Sequence, residues 1–185
     1  VTYQFSQEYP LRIERFLLFG PYRFSLNESL NPNCPILQKI EYSDINNGGE
    51  LYDKPYEFYH SIDLEQYDLS TSYVILYCCI LSEDDVNVVF RVGNLCKAKV
   101  WLNEILIVDD MVHLNDGHFA VAQLKKGHNH IVTQVSSYFD EYDTFRPATF
   151  TIRLNSIIPG EDRLTMPSSL FNAYLNNEVI GKLHL

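Results

Sequence analysis

Alternation of apolar and polar residues runs through much of this chain. Thr149-Phe150-Thr151-Ile152-Arg153-Leu154 alternates without a break, and Val86 to Val92 places Val86, Val88, Phe90 and Val92 on one side. Successive strand side chains point to opposite faces, so each pattern predicts a strand with one buried face. Lys97-Ala98-Lys99-Val100-Trp101-Leu102-Asn103 repeats the pattern with Ala98, Val100 and Leu102 inward, and Ile105 to Val108, Phe119 to Ala122 and His130 to Val135 follow as further short strands. The uninterrupted run Tyr73 to Leu81, rich in β-formers, predicts a central strand buried on both faces. Arg12 to Phe19 is an apolar run closed by Gly20-Pro21 and reads as an edge or entry strand.

Turn residues punctuate these runs. Ser82-Glu83-Asp84-Asp85, Gly93-Asn94, Asn103-Glu104, Asn115-Asp116-Gly117 and Lys125-Lys126-Gly127 separate successive strands, and a β-meander from Tyr73 to Val108 is the simplest expectation. Asn27 to Glu57 is rich in Asn, Pro, Gly and Asp and is expected to be a long connection, of a kind that is either functional or draped over a sheet. Beyond Pro159-Gly160 the alternation weakens. A β-sandwich domain over residues 1–158 is expected, then an extension or linker over 159–185 that includes a short helix between Ser168 and Asn176.

Composition supports a β fold and narrows the function classes. The 13 Tyr and 11 Phe favour half-buried pleated surfaces. A formal net charge of -10, with 14 Lys and Arg, argues against binding a phosphate backbone or an anionic membrane, and no apolar run reaches the ~18 residues of a spanning helix. Cys34, Cys78, Cys79 and Cys96 form no CxxC pair and are expected to be free thiols, which leans toward a reducing compartment. The chain opens at Val1 without an initiator Met, and a domain excised from a longer protein is expected.

Four stretches carry a family resemblance. Phe16-Leu17-Leu18-Phe19-Gly20-Pro21-Tyr22, the Tyr73 to Ser82 strand, Val100-Trp101-Leu102-Asn103 and Leu124-Lys125-Lys126-Gly127-His128-Asn129 follow one another as in the galactose-binding-like β-sandwich, or jelly-roll, modules of bacterial glycoside hydrolases and related multidomain proteins. The chain resembles that family over about residues 13 to 154. The resemblance implies an antiparallel all-β jelly roll and an accessory, secreted module beside a catalytic domain. Two positions depart from the pattern. The family has Asn-Gly after its Val-Trp-Leu strand, where this chain has Asn103-Glu104, so the turn must differ or carry strain. An aromatic is usual where His128 stands.

Sugar recognition needs flat aromatic faces beside carboxylates or amides. The segment Tyr138 to Arg146 has that chemistry, with Tyr138, Asp140, Tyr142 and Asp143 as candidate ligands, and Trp101 is a candidate stacking platform. Trp101 falls on the face of Lys97 and Lys99 and is expected to be partly buried, packed beneath a loop. A second aromatic segment, Tyr52 to His60, reads equally well as cover for a sheet. His118, His128 and His130 could share a metal, but solvent-exposed histidines explain them more simply. Asp84-Asp85 and Asp109-Asp110 could contribute to a structural Ca2+ site, which nothing specifically indicates, and no cofactor is expected. No GxSxG, HExxH or GxxxxGK[ST] motif is present. The expected function is a non-catalytic carbohydrate-binding-like module, with a domain that packs against a neighbouring domain or partner as the alternative.

Overall fold

The computed structural model describes residues 1–23, 50–52, 55–56, 61–64, 67, 69–93, 97–110, 118–136, 138–139, 145–146 and 149–156; for 50–63, 93, 110, 118 and 138–151 it describes the backbone alone. In chain order the strands are β1 (Thr2–Gln4), β2 (Leu11–Ile13), β3 (Phe16–Arg23), β4 (Glu50–Tyr52), β5 (Pro55–Tyr56), β6 (Ser61–Asp63), β7 (Ser72–Ser82) and β8 (Val86–Gly93). They continue as β9 (Lys97–Leu102), β10 (Ile105–Asp110), β11 (His118–Leu124), β12 (Gly127–Ser136), β13 (Tyr138–Phe139), β14 (Phe145–Arg146) and β15 (Thr149–Ser156). The first sheet has the order β10-β9-β12-β7-β3-β4, with β1 also on β7; the second has the order β11-β8-β15-β6-β5, with β2 also on β15. Pairing is antiparallel except between β1 and β7. The fold is an all-β sandwich.

One core lies between the sheets. Val74, Leu76, Cys78 and Ile80 of β7, Ala98, Val100 and Leu102 of β9, and Ile131 and Val135 of β12 meet Val88, Phe90 and Val92 of β8, Ala120 and Ala122 of β11, and Ile152 and Leu154 of β15. All are spaced by two or four positions within their strands. The pleat therefore carries the sequence alternation directly into the core, as expected for these strands.

The meander expectation is corrected. β7 and β8 do not pair; they lie in opposite sheets, and the chain crosses between sheets again from β8 to β9, β10 to β11 and β11 to β12. Of the expected meander only β9 and β10 form a hairpin. The physical reason is burial: β7 is apolar on both faces, whereas β8 has one apolar face that must oppose another sheet. The chain thus passes repeatedly between the two layers of the sandwich.

The apolar run at Arg12 to Phe19 also divides. Ile13 belongs to β2 in the second sheet and Phe16 to β3 in the first. The Tyr3 hydroxyl pins the crossing, accepting from the backbone N-H groups of Glu14 (3.0 Å) and Arg15 (2.7 Å) and donating to the Arg15 carbonyl (3.2 Å). Gly20-Pro21 does not end the strand. β3 continues to Arg23 across a register shift between Phe19 and Tyr22, a bulge that accommodates a proline unable to donate to the ladder. Gly20 sits there at φ 111°, and a Cβ would stand 3.2 Å from the Tyr73 carbonyl oxygen. Part of the expected long connection is likewise strand, since Glu50–Tyr52 extends the first sheet and Pro55–Tyr56 the second. The expected helix at 168–176 lies outside the described residues.

Candidate functional site

The aromatic and acidic segment at 138–146 lies in the chain between β12 of the first sheet and β15 of the second. Its ends are clamped. Tyr138 pairs with Arg146 and Phe139 with Phe145 in a two-stranded antiparallel ribbon. Tyr138 is thereby placed on the backbone, at the base of the loop. Its side chain, and Asp140, Tyr142 and Asp143, lie outside what is described. The side chains of the Tyr52 to His60 segment do so too.

Trp101 is placed differently from the expectation of partial burial. It is 0% exposed on the outer face of the first sheet, in a second apolar cluster with Phe19, Tyr73, Ile75, Tyr77, Cys79 and Val132. Cross-strand register puts it opposite Val132 of β12 and Leu106 of β10. Its ring faces are therefore occupied by neighbours rather than presented for stacking, and the residue acts as scaffold. Lys99, on the same face, is also buried, and its Nζ lies 3.3 Å from Asp109 Oδ1 on the adjacent strand.

The histidines are not brought together. His118 starts β11 in the second sheet, opposite Val92, while His128 and His130 share the outer face of β12 in the first. His130 Nδ1 is 2.7 Å from the Tyr77 hydroxyl. Burial first, and then the charge of His128, hold the His130 pKa below the ordinary histidine value, with Glu104 opposing. Among the described residues no group of three or more His, Cys, Asp or Glu could hold a metal ion. Asp85 is engaged by Lys126 N-H (2.8 Å) and Lys125 Nζ (3.3 Å), which lower its pKa. Cys78 and Cys79 are free, buried and on opposite faces, with burial raising both pKa values, so neither favours the reactive thiolate.

Two turn motifs meet through a buried amide. Asn129 is 0% exposed; its Oδ1 accepts from Lys125 N-H (2.8 Å) and Asn103 Nδ2 (3.0 Å), and its Nδ2 donates to the carbonyls of Lys125 (2.7 Å) and Gly127 (3.1 Å). Asn103 closes the other side, with its Oδ1 accepting from His130 N-H (2.8 Å) and its N-H donating to the His130 carbonyl (2.9 Å). The Val-Trp-Leu-Asn and Leu-Lys-Lys-Gly-x-Asn stretches are thus one device that ties the β9–β10 hairpin turn to the β11–β12 crossing between the sheets. The expected strain is present: Asn103 has φ 48° and Glu104 φ 71°.

The outer face of the second sheet carries a row of cations. Arg12 of β2 is opposite Arg153 of β15, Arg153 is opposite Arg91 of β8, and Arg91 is opposite Phe119 of β11. The Arg91 guanidinium carbon stands 5.6 Å from the Phe119 ring centroid. Their strand neighbours Ile13, Ile152, Phe90 and Ala120 point into the core, so all four side chains point out.

No family model matches this chain, and no curated protein does. Among solved structures the chain is similar to a family 35 carbohydrate binding module from Clostridium thermocellum, at 10% identity over 80% of this chain and 99% of that one, with a TM-score of 0.36. It is also similar to a β-glucosidase from Kluyveromyces marxianus, at 17% identity over 74% of this chain and 17% of that one, again with a TM-score of 0.36. At this similarity the likenesses carry no argument about function.

Sequence reasoning missed the Asn129 amide and the arginine row for different reasons. Asn129 was legible as a turn signal but its burial was not, because its partners Asn103, Lys125 and Gly127 come from two separate turns. Arg12, Arg91 and Arg153 are far apart in the chain, and only the register of three strands makes them neighbours.

Proposed function

We propose that this chain is a non-catalytic, galactose-binding-like module that binds carbohydrate through the segment 138–146. The observation that supports this reading is the pairing at the ends of that segment: its base is clamped by the Tyr138–Arg146 and Phe139–Phe145 pairs, between a strand of each sheet in the chain. Tyr138, Phe139, Tyr142 and Phe145 bring ring faces suited to the apolar side of a pyranose, and Asp140, Glu141 and Asp143 bring acceptors for its hydroxyls. A closed base limits the conformational freedom that binding must remove. Trp101, buried in the scaffold, has no part in the site.

A glycan array with the isolated chain tests the proposal, repeated with Tyr138→Ala and Tyr142→Ala. Binding to a defined glycan that both substitutions weaken about tenfold or more, with unchanged thermal midpoints, is expected. Absence of glycan binding at millimolar ligand would sink the reading, as would binding that neither substitution alters.

A further inference from the structure

Like charges placed directly opposite one another on a sheet are destabilising, and the second sheet does this twice in one row. Three of the chain's 14 cations, Arg12, Arg153 and Arg91, stand side by side in a protein of net charge -10, where acidic partners are abundant. None of the three is in an ion pair with a carboxylate of the described residues. Arg12 and Arg91 are exposed, and Arg153 and Phe119 are half-buried. Burial first, and then the guanidiniums of Arg12 and Arg91, lower the pKa of Arg153. With no carboxylate of the described residues paired to it, this row is a surface primed for an external anion.

We propose that the Arg12–Arg153–Arg91 row is a docking surface for an acidic helix of a partner protein. Guanidiniums are planar forks that pair with carboxylates in bidentate fashion. Neighbouring strands lie ~4.8 Å apart, so the row spans ~9.6 Å from β2 to β8. A helix rises ~1.5 Å per residue, which places acids at i, i+4 and i+7 of one face across ~10.5 Å. An extended strand repeats its same-face side chains every ~6.7 Å, so three of its carboxylates would overshoot the row. The helix lies across the strands. One strand further on, Phe119 offers its ring to an apolar residue one turn beyond the last acid. The long-range repulsion of a chain at -10 disfavours an extended polyanion and leaves a short, local contact as the better fit. This surface is separate from the 138–146 segment, so the inference does not depend on glycan binding.

Fluorescence anisotropy with a labelled helical peptide of about 20 residues, long enough to hold a helix, tests this. The peptide carries Glu at i, i+4 and i+7 of one face; a control peptide of equal composition distributes the Glu residues around the helix. The one-face peptide is expected to bind more tightly than the control, to weaken as salt rises, and to lose about tenfold or more of its affinity to the Arg12→Glu/Arg91→Glu variant. Arg91→Gln and Arg153→Gln are expected to weaken binding while keeping or raising the thermal midpoint, because each relieves repulsion. Equal binding of the two peptides would overturn the proposal, as would a polyuronate that binds through these arginines where the peptide does not. A fall in midpoint with unchanged peptide binding would assign the row to the fold instead. Glycan binding through 138–146 is expected to survive all these substitutions, which separates failure of one reading from failure of the other.

Discussion

Replacing Glu104 with glycine should stabilise this protein. The β9–β10 hairpin turns on Asn103 and Glu104, both at positive φ (48° and 71°), as a type I′ turn requires. A residue with a Cβ costs roughly 1–2 kcal/mol in the left-handed region. Asn103 offsets that cost through its bonds to His130 and Asn129, while the exposed Glu104 side chain makes no hydrogen bond among the described residues. Glu104→Gly removes the strain and returns roughly 0.4–1 kcal/mol to the flexible unfolded chain. The net gain is about 0.5–1 kcal/mol, or an increase of about 1–4 °C in Tm for a chain of this size. Urea and thermal unfolding of wild type, Glu104→Gly and Glu104→Ala measure it. The alanine variant removes the same negative charge but keeps a Cβ at φ 71°, so it should gain little. A glycine variant no more stable than wild type would refute the strain argument, and an alanine variant that gains as much would show that charge alone was responsible.

Two further outcomes follow from the same corner of the molecule. Asn129→Ala removes the amide that joins two turns and leaves the Lys125 N-H and the Lys125 and Gly127 carbonyls to find water; a loss of about 2–4 kcal/mol is expected in urea denaturation, and a loss below ~1 kcal/mol would contradict the assigned role. The lowered pKa of His130 means that the unfolded chain binds its proton more readily than the folded one, so this residue's contribution to stability is complete above about pH 6.5 and declines as pH falls from there toward the lower folded value. His130→Gln should flatten that part of the stability profile, and an unchanged slope would place its origin elsewhere.

Local chemistry made the strands and their faces legible. Val88, Phe90 and Val92, Ala98, Val100 and Leu102, and Ile152 and Leu154 are all found on the side their alternation predicted, because the pleat has a period of two whatever the strand pairs with. The same holds for β7, whose unbroken apolar run is buried on both faces. Gly20-Pro21 was misleading because a bulge can absorb the local signal that ends other strands. The chemistry of the segment 138–146 was legible as composition, and its clamped base became visible only with the β13–β14 pairing.

The amino-acid sequence by itself determined the all-β class, the inward faces of the strands and the sites of most turns, since each depends on residues within a few positions of one another. Tertiary structure alone decided the partners. It sent β7 and β8 to opposite sheets, buried Trp101 against Val132 and Leu106, closed the Asn103–Asn129 device and aligned Arg12, Arg153 and Arg91. Each of these joins residues distant in the chain. Their adjacency follows from which apolar faces can be buried together, a property of the whole set of strands and not of any one of them.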